Sequence, residues 1–262
     1  MSRIHALFFA ILILACSKDE TIVPIAEPTL LPHRLVQGNM SYEISYDVSN
    51  RLAQIDLSTS YPGGTTLHSQ YFLYDDEGKL IVSTTSSGWR FEYRYTGQRI
   101  TETYEYVNES LSQQHRFTYD SRNRVIQTIT YQDIPEEGGL IPVQKATYQY
   151  DQNDNVLENK LYYYTTGGAS AVLLSTHTFS GYDSKVHTEG AFEVTAVNPQ
   201  LRPFRNNPTR LEVRNGNNIL GLVETYTYDY NPQGFASRKV TKSVFNGTTE
   251  EYETSYSFVE PK

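Results

Sequence analysis

A five-residue pattern recurs along the chain and strongly limits what it can fold into. Each copy begins with Tyr and then Asp or Asn, continues with two variable residues, and ends with Gly, Asn or Asp. The Asp or Asn can hydrogen-bond the backbone two residues later, and the last residue is of a type that tolerates a positive φ angle. This combination predicts a three-residue hairpin loop, a type I turn closed by a left-handed residue. The predicted turn residues are Asp47, Asn50, Asp75, Gly78, Asp120, Asn123, Asp151, Asp154, Asn231 and Gly234.

The segments between these turns alternate with a period of two. Tyr42, Ile44 and Tyr46, for example, alternate with Ser41 and Glu43, which is typical of half-buried antiparallel strands. About sixteen such segments can be counted, with turn signals at the spacing of all-β folds. A flat open sheet of that size is unusual. We therefore predict an all-β fold, a large curled antiparallel β-meander of successive hairpins that is either closed like a barrel or partly open.

The repeated pattern resembles the YD repeats of the Rhs family and of related Bacteroidetes cell-envelope lipoproteins. The resemblance extends over roughly residues 40 to 258, and the copies begin at Tyr46, Tyr74, Tyr119, Tyr150 and Tyr230. It implies a β-rich repeat domain located at the cell envelope.

The first sixteen residues have the features of an export signal. Arg3 is followed by an apolar run, residues 6–15, that is too short to span a bilayer. The run ends at Cys16, in a context that resembles a bacterial lipobox. The resemblance implies that Cys16 is acylated and becomes the mature N-terminus, which would anchor the protein in the membrane.

The residues after Cys16 predict a tether followed by one domain. Residues 17–38 contain three prolines and are assigned to a flexible tether, and residues 39–262 to a single β-rich domain. The tether begins with Ser-Lys-Asp-Glu, which either resembles the surface-export signal of Bacteroidetes lipoproteins or is simply polar. We therefore expect an outer-membrane lipoprotein that faces the periplasm or the cell surface.

Composition excludes several kinds of partner. The formal net charge of −8 disfavours nucleic acid, and a single Cys leaves neither an internal disulfide nor a Cys-based metal site. Residues 151–155 begin like a calcium loop, but Val156 stands where Gly is needed and Tyr162 where Glu is needed. We predict no metal, no cofactor and no catalytic residue.

Two aromatic groups are candidates for ligand binding. The first is Trp89 with Phe91 and Tyr93, and the second is the run Tyr162, Tyr163 and Tyr164, whose consecutive rings must face both sides of a strand. If exposed, either group could bind a glycan, a peptide or another envelope protein. The alternative is that these rings pack in the core.

Our leading functional hypothesis is a non-catalytic, membrane-anchored envelope lipoprotein whose β-repeat domain serves binding or structural display. One alternative is a glycan-binding accessory lipoprotein of an uptake system. A glycoside hydrolase is another alternative, and it would require convergent buried carboxylates. An outer-membrane barrel would share the alternation, but the lipobox and the charges on both strand faces argue against it.

Overall fold

The described residues form one closed β-barrel. The computed structural model describes residues 30–189, 196–201 and 203–261. Within them, sixteen antiparallel strands each pair with their neighbours in sequence, and β1 pairs with β16 to close the sheet. The prediction of an all-β meander is confirmed, and closure into a barrel is the form it takes. The strands are β1 (Leu31–Gln37), β2 (Met40–Tyr46), β3 (Leu52–Tyr61), β4 (Gly64–Tyr74), β5 (Leu80–Thr85), β6 (Trp89–Thr96), β7 (Arg99–Val107), β8 (Ser110–Tyr119), β9 (Val125–Ile134), β10 (Gly139–Tyr150), β11 (Val156–Tyr164), β12 (Ala171–Ser180), β13 (Arg210–Asn215), β14 (Leu220–Tyr230), β15 (Ala236–Phe245) and β16 (Thr248–Val259).

The N-terminal boundary of the barrel differs from the predicted one. Residues 31–37, which the sequence analysis places in the tether, form β1 and close the barrel against β16. Pro32 donates no backbone hydrogen bond, and the register shifts between it and Arg34. The export signal and Cys16 lie outside the described residues. No helix within the described ranges is long and apolar enough to cross a membrane.

The two ends of the barrel differ in their turns. All five repeat turns lie at one end, here called the repeat end, together with both ends of the described chain. In the turn between β8 and β9, the Asn123 N–H donates to the Asp120 carbonyl at 3.1 Å, and Asn123 has a φ of 67°. The same turn hydrogen bond links Asn50 to Asp47, Gly78 to Asp75, Asp154 to Asp151 and Gly234 to Asn231. The opposite end, here called the far end, has hairpin turns of other types, such as Asn246-Gly247 between β15 and β16.

Tyrosines at strand ends brace the repeat end, and those that open the first four repeats are among them. The Tyr150 hydroxyl donates to the carbonyl of Val125, the apolar residue that follows the preceding repeat turn, at 2.7 Å. Arg124, from that same preceding turn, lies over the Tyr150 ring at 4.6 Å. Each such hydroxyl therefore ties one hairpin to the one before it. We call this set the tyrosine rim, and its donors and acceptors are Tyr46 to Pro32, Tyr74 to Leu52, Tyr95 to Leu80, Tyr119 to Ile100, Tyr150 to Val125 and Tyr182 to Val156.

Strand register shows which side chains face inward. Residues directly opposite each other on paired strands point to the same face. Ile44 is opposite Ile55, and Ser83 is opposite both Phe72 and Phe91. Ile44, Ile55, Phe72 and Phe91 belong to one buried cluster that also has members on β1, β9 and β15, and only the inside of the barrel can bring such strands together.

The outward face carries paired charges. Arg116 and Glu102 lie opposite each other on β8 and β7 and approach to 3.2 Å. Arg238 on β15 likewise approaches Glu253 on β16 to 2.7 Å. Further outward pairs join Arg34 to Glu43, Lys160 to Glu158 and Arg210 to Glu212. Charged pairs at these positions are unlike the apolar outer band of a lipid-spanning barrel.

Candidate functional site: the aromatic mouth

Four aromatic side chains surround the inside of the barrel at its far end. They are Tyr61, Trp89, Tyr163 and Phe245, which we call the aromatic mouth. Their positions in register place them on the inward face of β3, β6, β11 and β15. They remain 51%, 39%, 45% and 57% exposed, respectively. These large rings therefore face inward at the far end and remain accessible to solvent.

The wall below the mouth is polar. Trp89 stacks on Phe91 with ring centroids 6.4 Å apart, and Phe91 lies opposite the buried Glu105. Glu105 Oε2 lies 3.4 Å from His115 Nε2, and His115 Nδ1 lies 3.1 Å from the Thr130 hydroxyl. Amide side chains also share this inward face, namely Gln37, Gln70, Gln113, Gln132 and Gln144.

A second inward carboxylate, that of Glu224, lies on β14. The Glu224 carboxylate accepts a hydrogen bond from the Tyr226 hydroxyl at 2.6 Å and another from Tyr252 at 3.4 Å. Burial and the nearby Glu224 carboxylate raise the pKa of Tyr226, so Tyr226 remains a hydrogen-bond donor. Glu250 on β16 also faces inward, opposite Ser243, and is exposed near the mouth.

The repeat end is crossed by the connection between β12 and β13. Among its described residues, Ala196, Val197 and Leu201 pack against the core. The Ala196 carbonyl accepts from the Tyr93 hydroxyl at 2.6 Å and the Val197 carbonyl accepts from Thr103 at 2.6 Å. Residues 188 and 189 of the same connection contact β15 and β16, on the opposite wall of the barrel.

A buried ion pair fixes this connection to the wall. Glu189 accepts hydrogen bonds from Lys239 on β15 and from the Tyr256 hydroxyl on β16. Burial alone would raise the pKa of Glu189, but Lys239, Tyr256 and His187 together lower it below its ordinary value. The positive charge of Lys239 is therefore paired with the carboxylate of Glu189, deep in the barrel and away from the mouth.

A small groove of about 240 Å³ lies where this connection meets the repeat end. It is lined by Tyr74, Tyr95 and Gln200 among others. The hydroxyls of both tyrosines already donate to backbone carbonyls. The hydroxyl protons of these two tyrosines are therefore already used within the protein.

The structure separates the six predicted ligand-binding residues. Trp89 and Tyr163 lie in the aromatic mouth, and Phe91 is buried directly below Trp89. Tyr93 is 4% exposed, and its hydroxyl contacts Ser83 and the Ala196 carbonyl, so it belongs to the core. Tyr162 and Tyr164 alternate with Tyr163 and face outward, where Lys145 lies 4.3 Å from the centre of the Tyr162 ring.

Sequence reasoning missed Tyr61, Phe245, Glu224 and Glu250. A usable signal was present for the two aromatics, because Tyr61 precedes the Pro62-Gly63 turn and Phe245 precedes Asn246-Gly247. Aromatic residues beside far-end turns must lie at the rim of the sheet. The two glutamates carry no local signal, because only the register distinguishes an inward carboxylate from an outward one.

This architecture is a closed, sixteen-stranded antiparallel barrel. No protein-family model matches the sequence, and no curated protein matches it. The fold is similar to that of a porin-like protein from Bacteroides uniformis, with a TM-score of 0.60 and 12% identity over 88% of this chain and 95% of that chain. A porin-like protein from Bacteroides vulgatus aligns over 87% of this chain and 98% of that chain, with 11% identity and a TM-score of 0.39. At such identity the first match shows a shared fold.

Proposed function

We propose that this protein is a non-catalytic binding barrel of the bacterial envelope, anchored by an acylated Cys16, that binds a carbohydrate chain in its aromatic mouth. The supporting observation is the asymmetry of the barrel, which is crossed by a packed connection at the repeat end and lined by exposed inward rings at the far end. Rings of this kind stack on the apolar faces of sugars. The amides below them can hydrogen-bond sugar hydroxyls.

The tyrosine rim supports placing the chain among YD-repeat envelope proteins. In the rim, the repeated Tyr bonds to the backbone after the preceding turn, and the basic residue of that turn lies over the Tyr ring. The repeated residues therefore stabilise contacts between successive hairpins. The fold shared with a porin-like Bacteroides protein supports an envelope location. The charged outward face supports a barrel that stands in water on its tether rather than one that spans lipid.

The anchor is tested by changing Cys16 to Ala. The variant should leave the membrane fraction, because an acyl chain can no longer be attached. Retention of the variant with membranes to the same extent as the native protein would refute the anchor.

Binding at the mouth is tested by fluorescence, because Trp89 is the only tryptophan. N-acetylchitotetraose and maltotetraose are titrated into the protein, and at least one of them should change the emission of Trp89 with saturation. Tyr163→Ala should weaken that binding by about tenfold, as expected for truncating an aromatic contact residue. Tyr162→Ala removes the adjacent ring on the outward face and should leave binding unchanged. Equal effects of the two variants, or no response to either sugar, would refute binding at the mouth.

A further inference from the structure

In the half of the barrel nearer the mouth, the Asp, Glu, Lys and Arg residues of the described strands that face inward are all acidic. In register, three strand carboxylates face inward there, namely Glu105, Glu224 and Glu250. The inward Lys239 lies deeper, beside Glu189. By the same register, the arginines of the strands that pair with acidic neighbours face outward: Arg34, Arg90, Arg94, Arg116, Arg210, Arg214 and Arg238.

Carboxylates on the outward and inward faces of the barrel have different kinds of partner. Outward carboxylates are matched by cations at short range, as in the pair of Glu102 with Arg116. Inward carboxylates are instead held by neutral or weakly basic groups, such as Tyr226 and Tyr252 around Glu224 and His115 beside Glu105. Among the described residues no Lys or Arg pairs with Glu224 or Glu250, so their negative charge remains available to a ligand inside the mouth, whereas Glu105 is buried.

We infer that the mouth selects a carbohydrate chain that bears amino groups, accepts a neutral chain more weakly, and excludes chains with carboxylate, sulfate or phosphate groups. This selectivity rests on the proposed binding of carbohydrate and specifies the chemical class of the carbohydrate. An ammonium group would be attracted by Glu224 and Glu250 and by the faces of Trp89 and Tyr163. An anionic sugar would meet like charge with no inward arginine in the described strands to offset it.

The experiment compares three tetrasaccharides of equal length on the intact protein. The probes are chitotetraose, which carries free amino groups, N-acetylchitotetraose, which is neutral, and tetragalacturonate, which is anionic. Binding is followed by Trp89 fluorescence and by calorimetry at low and high salt. Chitotetraose should bind roughly three- to tenfold more tightly than its N-acetylated form, with the difference shrinking at high salt. Tetragalacturonate should give no saturable signal.

Two neighbouring glutamates provide a matched pair of variants. Glu250 and Glu251 are adjacent and exposed, but Glu250 faces inward and Glu251 faces outward opposite Lys242. Glu250→Gln should lower the ratio of chitotetraose affinity to N-acetylchitotetraose affinity, whereas Glu251→Gln should leave that ratio unchanged.

The outcomes separate this inference from the proposed function. Binding of tetragalacturonate as tight as that of the neutral sugar, or equal effects of the two glutamate variants, would overturn the charge selection while carbohydrate binding stands. Tetralysine binding as tightly as chitotetraose would overturn selection for a sugar and leave charge attraction alone. Failure of all three sugars to affect Trp89 would overturn the proposed function itself, and this inference with it.

Discussion

At the residue scale, the role of each tyrosine depends on where its hydroxyl finds a partner. Burial raises the pKa of Tyr74 and of Tyr95, each to about 12, and each hydroxyl donates to a backbone carbonyl on an earlier strand. Tyr163 instead exposes its ring at the mouth. A tyrosine can serve in either place because its ring is apolar and its hydroxyl is polar.

Removing one rim hydroxyl should measurably destabilise the barrel. Tyr150→Phe keeps the ring beneath Arg124 but leaves the Val125 carbonyl without its donor. We expect a loss of about 1 kcal/mol in the free energy of unfolding, measured by urea denaturation. Tyr131→Phe is the control, because that ring lies under Arg116 and its hydroxyl makes no hydrogen bond with the described residues. The control should lose less than about 0.5 kcal/mol, and losses of equal size would show that the rim bond contributes nothing.

At the scale of the hairpin, the repeat turn combines a backbone requirement with a charge requirement. Asp120 Oδ1 accepts from the backbone N–H groups of Arg122 and Arg124, each at 2.9 Å, and Oδ2 contacts the Arg124 guanidinium at 2.7 Å. Burial would raise the pKa of Asp120, but these hydrogen bonds from Arg124 and Arg122 lower it below its ordinary value. The turn closes with Asn123 in the left-handed region, with a φ of 67°.

The backbone requirement can be tested at Asn123 alone. Asn123→Gly should leave the free energy of unfolding within about 0.5 kcal/mol of the native value, because Gly adopts positive φ without steric cost. Asn123→Val should lose about 1–2 kcal/mol, because a β-branched side chain is strained in that region. Thermal unfolding of the two variants side by side provides the measurement. Equal stability of the Val and Gly variants would mean that the turn does not need a left-handed residue.

At the scale of the whole molecule, the tyrosine rim and the core tyrosines share one response to pH. A group whose pKa is raised by folding contributes stability that is complete below its unfolded pKa and is lost as pH rises through the folded value. For Tyr74 and Tyr95 that window runs from 10 to about 12. Burial also raises the pKa of Tyr93, Tyr150 and Tyr182, so several strands should lose stability together.

Alkaline titration should therefore unfold the barrel cooperatively. Between pH 10 and about 12, tyrosinate absorbance should rise in step with the loss of the far-ultraviolet signal of the strands, because these rings ionise only when the barrel opens. The native absorbance should return when the pH is lowered again if unfolding is reversible. Full ionisation of all tyrosines near pH 10 with the strand signal unchanged would contradict the burial of these hydroxyls.

Local chemistry in the sequence determined the repeat turns and the hairpins between them. The Asp or Asn that binds its own turn and the residue suited to positive φ act within five positions, and period-two alternation needs only neighbouring residues. These features are readable without knowing what lies across the barrel. They were sufficient to predict an all-β meander.

Only the tertiary structure decided which face points inward, how the sheet closes and what lines the mouth. Tyrosines occur on both faces of many strands and are compatible with either, so Tyr162 and Tyr163 could not be told apart from sequence. Residues 31–37 form a strand between β2 and β16, and the edge that β16 offers them lies more than two hundred residues away in sequence. Contacts between such distant segments depend on the register of every intervening hairpin. The combined effect of those registers cannot be read from any local stretch of sequence.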